Sequence, residues 1–129
     1  MTKKTNTANI AKHSQKAIIA LPWMVTIHPL ADAELKTIPL DMQTRFVHIA
    51  ELLEELGPQR VGLPHIRPLE GKLWEMRMTG RDGIARAMYA AIQGRRLLVL
   101  YVFIKKTQTT PRKAIETALK RLEAAHENP

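Results

Sequence analysis

The spacing of apolar residues divides the chain into elements. Leu97 to Ile104 is apolar at every position, as expected of a central strand covered on both faces, and it stops abruptly at Lys105-Lys106. Trp74 to Thr79 alternates instead, with Trp74, Met76 and Met78 on one side and Glu75, Arg77 and Thr79 on the other. Ile84 to Ile92 reads as the strand between them, bounded by turns at Thr79–Gly83 and Gln93-Gly94-Arg95. Met42, Phe46, Ile49, Leu52, Leu53 and Leu56 recur at helical spacing and predict a helix over 41–56, with Asp41 as N-cap and Gly57-Pro58 as the stop. Ile115, Ala118, Leu119 and Leu122 give the inner face of a last helix from Pro111 to about Ala125, with Thr110 as its N-cap. Trp23 to Ile27 is rich in strand formers, and Asp32 is placed to cap a short helix through Thr37 that Pro39 ends. Arg60 to Lys72, punctuated by Gly62, Pro64, Pro68 and Gly71, reads as a loop. Strand, helices, antiparallel meander and helix together predict an α+β fold, a small twisted antiparallel sheet with helices on one face. The polar stretch 1–20 reads as a flexible tail, and 21–126 as one domain.

Charge sharpens this picture. The 129 residues carry a formal net charge of +8 and no cysteine, which excludes disulfides, thiolate metal sites and a cysteine nucleophile. From Leu30 to Gly57 there are six acids and two bases, whereas from Arg60 to Arg121 there are fourteen bases and four acids. A surface with that asymmetry suits a polyanion, with nucleic acid first and anionic membrane second. No stretch reaches the roughly 18 consecutive apolar residues of a membrane span. Ala17 to Val25 is too short for a secretory leader, contains Pro22 and Trp23, and lacks a small-residue cleavage site. A cytoplasmic protein is expected.

Several groups are candidates for chemistry, each with a bland alternative. Glu75 and Arg77 share a strand face and form either an acid–base pair or phosphate clamp, or an ordinary cross-strand salt bridge. Arg86 falls in alternation with Ile84 and Met88, so it reaches out at a strand start, sits at a bulge or is buried to meet an anion. Lys105 and Lys106 are adjacent on a strand end, so one of them faces the side of Arg77 and Arg86. Arg112 and Lys113 sit in the first turn of the last helix, where bound phosphate would offset their opposition to the helix dipole, or else form a solvated basic turn. Trp74 and Tyr89 are core residues or a stacking surface for a base. Glu51, Glu54 and Glu55 read as a solvated helix face, and His65 as a loop histidine that could approach the sheet. The five histidines show no metal-ligand spacing, and no phosphate-binding glycine loop or serine triad is present.

Three segments, in order, resemble the HigB-like, phage-derived branch of the RelE/ParE toxin superfamily. They are Leu69-Glu70-Gly71-Lys72-Leu73-Trp74-Glu75-Met76-Arg77, Gly80-Arg81-Asp82-Gly83-Ile84-Ala85-Arg86-Ala87-Met88-Tyr89 and Phe103-Ile104-Lys105-Lys106-Thr107-Gln108-Thr109-Thr110-Pro111. The resemblance spans roughly Trp23 to Glu123. It implies a RelE-like fold whose sheet face binds RNA, and a type II toxin that cleaves mRNA in the ribosome with no metal or other cofactor. It also implies a cytoplasmic location and a helix-turn-helix antitoxin of the HigA kind, with a homo-oligomer formed through the antitoxin complex. By motif position, Arg77, Arg86 and Lys106 correspond to basic catalytic residues. Glu75 stands where RelE proper carries a lysine, as a base or as an orienter of Arg77. Arg81, Lys105, Arg112 and Lys113 are the expected RNA-binding cations. The alternative within the same superfamily is a non-enzymatic binder, either a gyrase inhibitor of the ParE kind or an inactive prophage remnant.

Overall fold

A strand that is apolar on both faces must sit inside a sheet with cover above and below, and this requirement organises the molecule. The computed structural model describes residues 22–62, 64–106 and 109–127. The tail expected over 1–20 lies outside them. The elements are β1 (Met24–Ile27), α1 (Pro29–Leu35), α2 (Leu40–Leu56), β2 (Ile66–Pro68), β3 (Trp74–Gly80), β4 (Gly83–Ile92), β5 (Arg96–Ile104) and α3 (Arg112–Glu127). They form one five-stranded sheet in the order β1-β5-β4-β3-β2. β2 to β5 pair antiparallel, and β1 runs parallel to β5 at the edge.

The helices do not share one face, as the sequence reading expected. Met76, Met78, Ala85, Ala87, Tyr89, Leu97, Val99 and Val102 pack with α1 and α2 on one side. Leu73, Met88, Ala90, Leu98 and Leu100 pack with Ala114, Ile115, Ala118 and Leu122 of α3 on the other. The molecule has three layers because β5 and the middle of β4 are apolar at both parities. One layer of helices would leave the second face wet.

The pairing of β4 with β5 slips at one point. Met88 lies opposite Tyr101, but Tyr89 lies opposite Val99, so Leu100 is an extra residue. Leu100 and Tyr101 both turn toward the α3 layer. A bulge of this kind exchanges the faces of every residue beyond it. Val102 therefore joins the α1–α2 core, while Tyr101 and Phe103 join the α3 side.

Other differences lie at element ends. Arg60 to Lys72 is not all loop, because Ile66–Pro68 adds a short edge strand to β3. The cap of α1 is His28, whose Nδ1 accepts from Leu30 N at 3.1 Å, so Asp32 lies inside the first turn. Pro39 occupies the N-cap of α2, and the carboxylate of Asp41 instead accepts from Arg81 N at 2.7 Å. Thr110 directs its hydroxyl at Glu75. Glu54 is not simply solvated, since it accepts from Val25 N at 2.9 Å.

The sheet edge beside β1 is closed by side chains. Glu34 Oε1 accepts from Val102 N at 3.1 Å and from Arg121 Nη1 at 3.0 Å, and Arg121 Nη1 also reaches Leu100 O at 2.9 Å. Arg121 and Glu34 join the helices of opposite layers around the strand that β1 is too short to cover, and they occupy its unpaired backbone groups.

Two expected outcomes test this account. A Cβ on Gly80 would lie 2.7 Å from Met42 Cγ and 2.8 Å from Asp41 Oδ2. Gly80→Ala should therefore cost about 1–3 kcal/mol in urea unfolding, because Asp41 is held by Arg81 and Met42 is buried. The pKa of His28 is lowered from its ordinary 6.5, first by burial and then by Arg121, with Glu34 opposing. The folded protein thus takes up this proton less readily than the unfolded chain, and stability falls as pH drops below about 6.5. His28→Asn, which keeps a capping acceptor, should show a smaller loss of thermal midpoint between pH 7.5 and pH 5. An identical loss in both proteins would exclude His28 as the titrating group.

Candidate functional site

The α3 layer covers only part of its face of the sheet. Beyond it, alternation brings charged residues to the same surface. Arg67 on β2 lies opposite Glu75 on β3, Glu75 lies opposite Met88 on β4, and Arg77 lies opposite Arg86. Two guanidinium groups directly across a strand pair repel, and they persist only with a counter-charge.

That counter-charge is Glu75, which has no exposed surface. Its Oε1 accepts from Arg67 Nε at 2.9 Å and lies 3.4 Å from Arg86 Nε. Its Oε2 accepts from Thr110 Oγ1 at 2.9 Å. Thr110 also accepts from Arg67 Nη2 at 3.4 Å. The strand exit, the edge strand and the sheet centre are thereby joined through one carboxylate.

The cations outnumber it. Lys105 feels Glu75, Arg86, Arg67 and Arg77, so four cations face one carboxylate with an excess of three positive charges. Burial is the largest influence on both Lys105 and Arg86 and lowers the pKa of each, with Glu75 opposing it. Arg86 is 7% exposed. Its Nε and Nη1, with the Nε of Arg77, are buried and make no hydrogen bond among the described residues. Buried guanidinium groups with free N–H donors and surplus positive charge suit an oxyanion that accepts from several donors at once.

The structure therefore brings together Glu75, Arg77, Arg86 and Lys105 from the sequence-based set. Lys106 is exposed and is absent from the charges acting on Lys105 and Arg86. The bulge explains the exchange. Strict alternation from Leu98 and Leu100 would bring Lys106 to this face, and the extra residue brings Lys105 instead. Arg81 is exposed at the β3–β4 turn, 3.8 Å from Asp82. Arg112 is held by Glu70 through two hydrogen bonds of 2.6 and 3.0 Å, which also keep the Glu70 carboxyl below its ordinary range. Lys113 is exposed on the first turn of α3. His65 meets His48 edge-on at 6.3 Å and is not among these charges. Tyr89 is core, 1% exposed.

Sequence reasoning missed Arg67 and Thr110. Arg67 lay in an apparent loop, and the one local signal was Ile66 beside it, too short a pattern to declare a strand. Among the described residues no helix is long and apolar enough to cross a membrane, and no group of three or more His, Cys, Asp or Glu could hold a metal ion.

A five-stranded, mostly antiparallel sheet with two helices on one face and one on the other matches the fold of RelE toxins. A mutant of the E. coli toxin RelE in its free state superposes with a TM-score of 0.58 at 14% identity, over 79% of this chain and 99% of that one. The archaeal RelE of a RelE–RelB complex from Pyrococcus horikoshii superposes with a TM-score of 0.50 at 22% identity, over 67% of this chain and 98% of that one. At these identities the likeness is one of fold. The family described as phage-derived protein Gp49-like matches residues 33–123, and the chain belongs to it. No curated protein matches the sequence.

Glu75 is the group on which the patch depends. Glu75→Ala should lower the unfolding free energy by roughly 3–5 kcal/mol, because Arg86 is left buried without its partner. Glu75→Gln keeps the shape and should lose most of the same. Arg67→Ala takes away the guanidinium hydrogen-bonded to the buried carboxylate but leaves Arg86 and Thr110 beside it, and should cost less, roughly 1–3 kcal/mol. Urea unfolding ranks the three, and a Gln variant as stable as the parent would show that charge pairing is not what holds Glu75.

Proposed function

We propose that this chain is the toxin of a type II toxin–antitoxin pair, HigB-like in kind, and that it cleaves mRNA on the ribosome. The observation that carries the reading is Arg86, buried with free N–H donors opposite Arg77 in a patch of surplus positive charge. A phosphodiester is the anion that a basic domain with such a patch would meet in nucleic acid. The family and the fold support the toxin reading, and the ordered motifs support the branch.

The proposed cleavage is an exchange of bonds within the RNA itself. The 2′-hydroxyl loses its proton, O2′ bonds to phosphorus, the bond to O5′ breaks, and O5′ gains a proton. The products are a 2′,3′-cyclic phosphate and a 5′-hydroxyl. Negative charge grows on the phosphoryl oxygens at the transition state, where fixed guanidinium donors stabilise it most. Arg77 and Arg86 take that role.

Glu75 is better suited to positioning than to proton transfer, because both its oxygens are engaged and it has no exposed surface. Lys105 is the proton-transfer candidate. Burial, and after it the neighbouring arginines, lower its pKa against the pull of Glu75, which makes its proton easier to give to the leaving oxygen. Lys106, Arg81 and Lys113, being exposed, would contact the backbone of the RNA or the ribosome.

The partner on this reading is a helix-turn-helix antitoxin of the HigA kind, and the site of action is the cytoplasm. The Pyrococcus horikoshii RelE was solved in complex with RelB, which supports an antitoxin for this fold.

Primer extension on cellular transcripts after induction tests the reading. The parent should arrest growth and produce new 5′ ends in translated mRNA. Arg86→Ala and Lys105→Ala, if they retain the parent's thermal midpoint, should each lower cleavage by about a hundredfold or more. Growth arrest with intact transcripts would point to a gyrase-inhibitor-like binder, and no arrest at all to an inactive remnant. Cleavage of free mRNA as fast as ribosome-bound mRNA would remove the ribosome from the proposal.

A further inference from the structure

The extra residue in β5 does more than choose between two lysines. It also turns two aromatic rings toward the charged face. Tyr101 and Phe103 stack with centroids 5.3 Å apart and planes inclined by 22°. The guanidinium of Arg121 lies over the Tyr101 ring at 5.2 Å. Arg121, Tyr101 and Phe103 thus form a column of planar groups along the strand. Its far end is Phe103, whose partner across the sheet is Arg86 and whose next neighbour on the same face is Lys105.

Neither ring is fully buried, whereas Tyr89 on the opposite face is wholly core. A ring that keeps exposed surface beside desolvated cations is costly to leave in water and of no use to a bare phosphate. It is useful to a nucleotide, whose flat apolar base follows its phosphate at about the separation of cross-strand neighbours, ~5 Å. Single-stranded RNA is held in this way, with the backbone on cations and an unstacked base on an aromatic face.

We propose that Phe103, backed by Tyr101, is a nucleobase-stacking platform that seats the base next to the phosphate held by Arg77 and Arg86. Because the column is built before RNA arrives, the base adds one more layer to an ordered stack. Stacking of this kind reads the π-face and not a hydrogen-bond pattern, so the platform favours purines without demanding one base. The proposal rests on the RNA reading above and adds its base-contacting group.

The test measures affinity of the full chain for two uncleavable probes. One is a 2′-O-methyl adenosine trinucleotide, and the other is the same backbone without bases. The parent should bind the adenine probe about tenfold more tightly than the abasic one. Phe103→Leu, which keeps apolar volume and loses the π-face, should lose most of that preference while binding the abasic probe within about twofold of the parent. Arg86→Ala should weaken both probes. Thermal melting confirms that each variant is folded, and Phe103→Tyr should restore the preference if Leu does not fold. Equal binding of the two probes by the parent, or equal losses on both in Phe103→Leu, overturns the platform and leaves the phosphate reading standing. No binding of either probe by the parent overturns both.

Discussion

A carboxylate with no exposed surface is tolerable only while cations hold it, and the site is built around that constraint. Glu75 is met by Arg67 from the edge strand, Arg86 from the centre and Thr110 from the segment leading into α3. Losing the carboxylate would leave Arg77 and Arg86 facing each other across a strand pair without a counter-charge. Holding it keeps the Arg86 guanidinium in place beside it before any ligand arrives. Preorganised donors of this kind need not reorganise when charge develops against them.

The same face of the sheet serves two purposes. Where Met88, Ala90, Leu98 and Leu100 present apolar side chains, α3 lies over them. Where the face turns charged, α3 is absent and a cationic surface remains. The helix is tied at both margins of its cover. Thr110 precedes its first turn and bonds Glu75, while Arg121 crosses to Glu34 and the edge of β5. Its placement therefore sets how much of the face stays open, and it links the charged patch to the packing of the opposite layer.

Much of this was legible in the residues. The helical spacing of Met42, Phe46, Ile49 and Leu53, the alternation of β3 and the unbroken apolar run of β5 gave elements close to those observed. Arg86 stood out because alternation put a guanidinium in line with Met88. Arg67 did not, because a three-residue edge strand has no periodicity to read, and its place opposite Glu75 comes from pairing alone. Asp32, Asp41 and Thr110 were all expected as caps. Each is a residue type that caps well, but His28 and Pro39 hold the first two positions. Asp41 and Thr110 are drawn to the Arg81 amide and to Glu75, partners remote in the chain.

Periodicity and charge, which are local properties, sufficed to determine the class of fold, the order of its elements and a basic second half suited to a polyanion. They could not determine which residues of β5 meet Arg86, because a strand's faces alternate strictly only until a residue is added. That addition at Leu100 is decided by how β4 and β5 pair and by the helix packed over them, so Lys105 and Phe103, and not Lys106, came to the charged face. The layering of helices on both faces was decided in the same way, by which apolar surfaces remained to be covered once the strands had assembled.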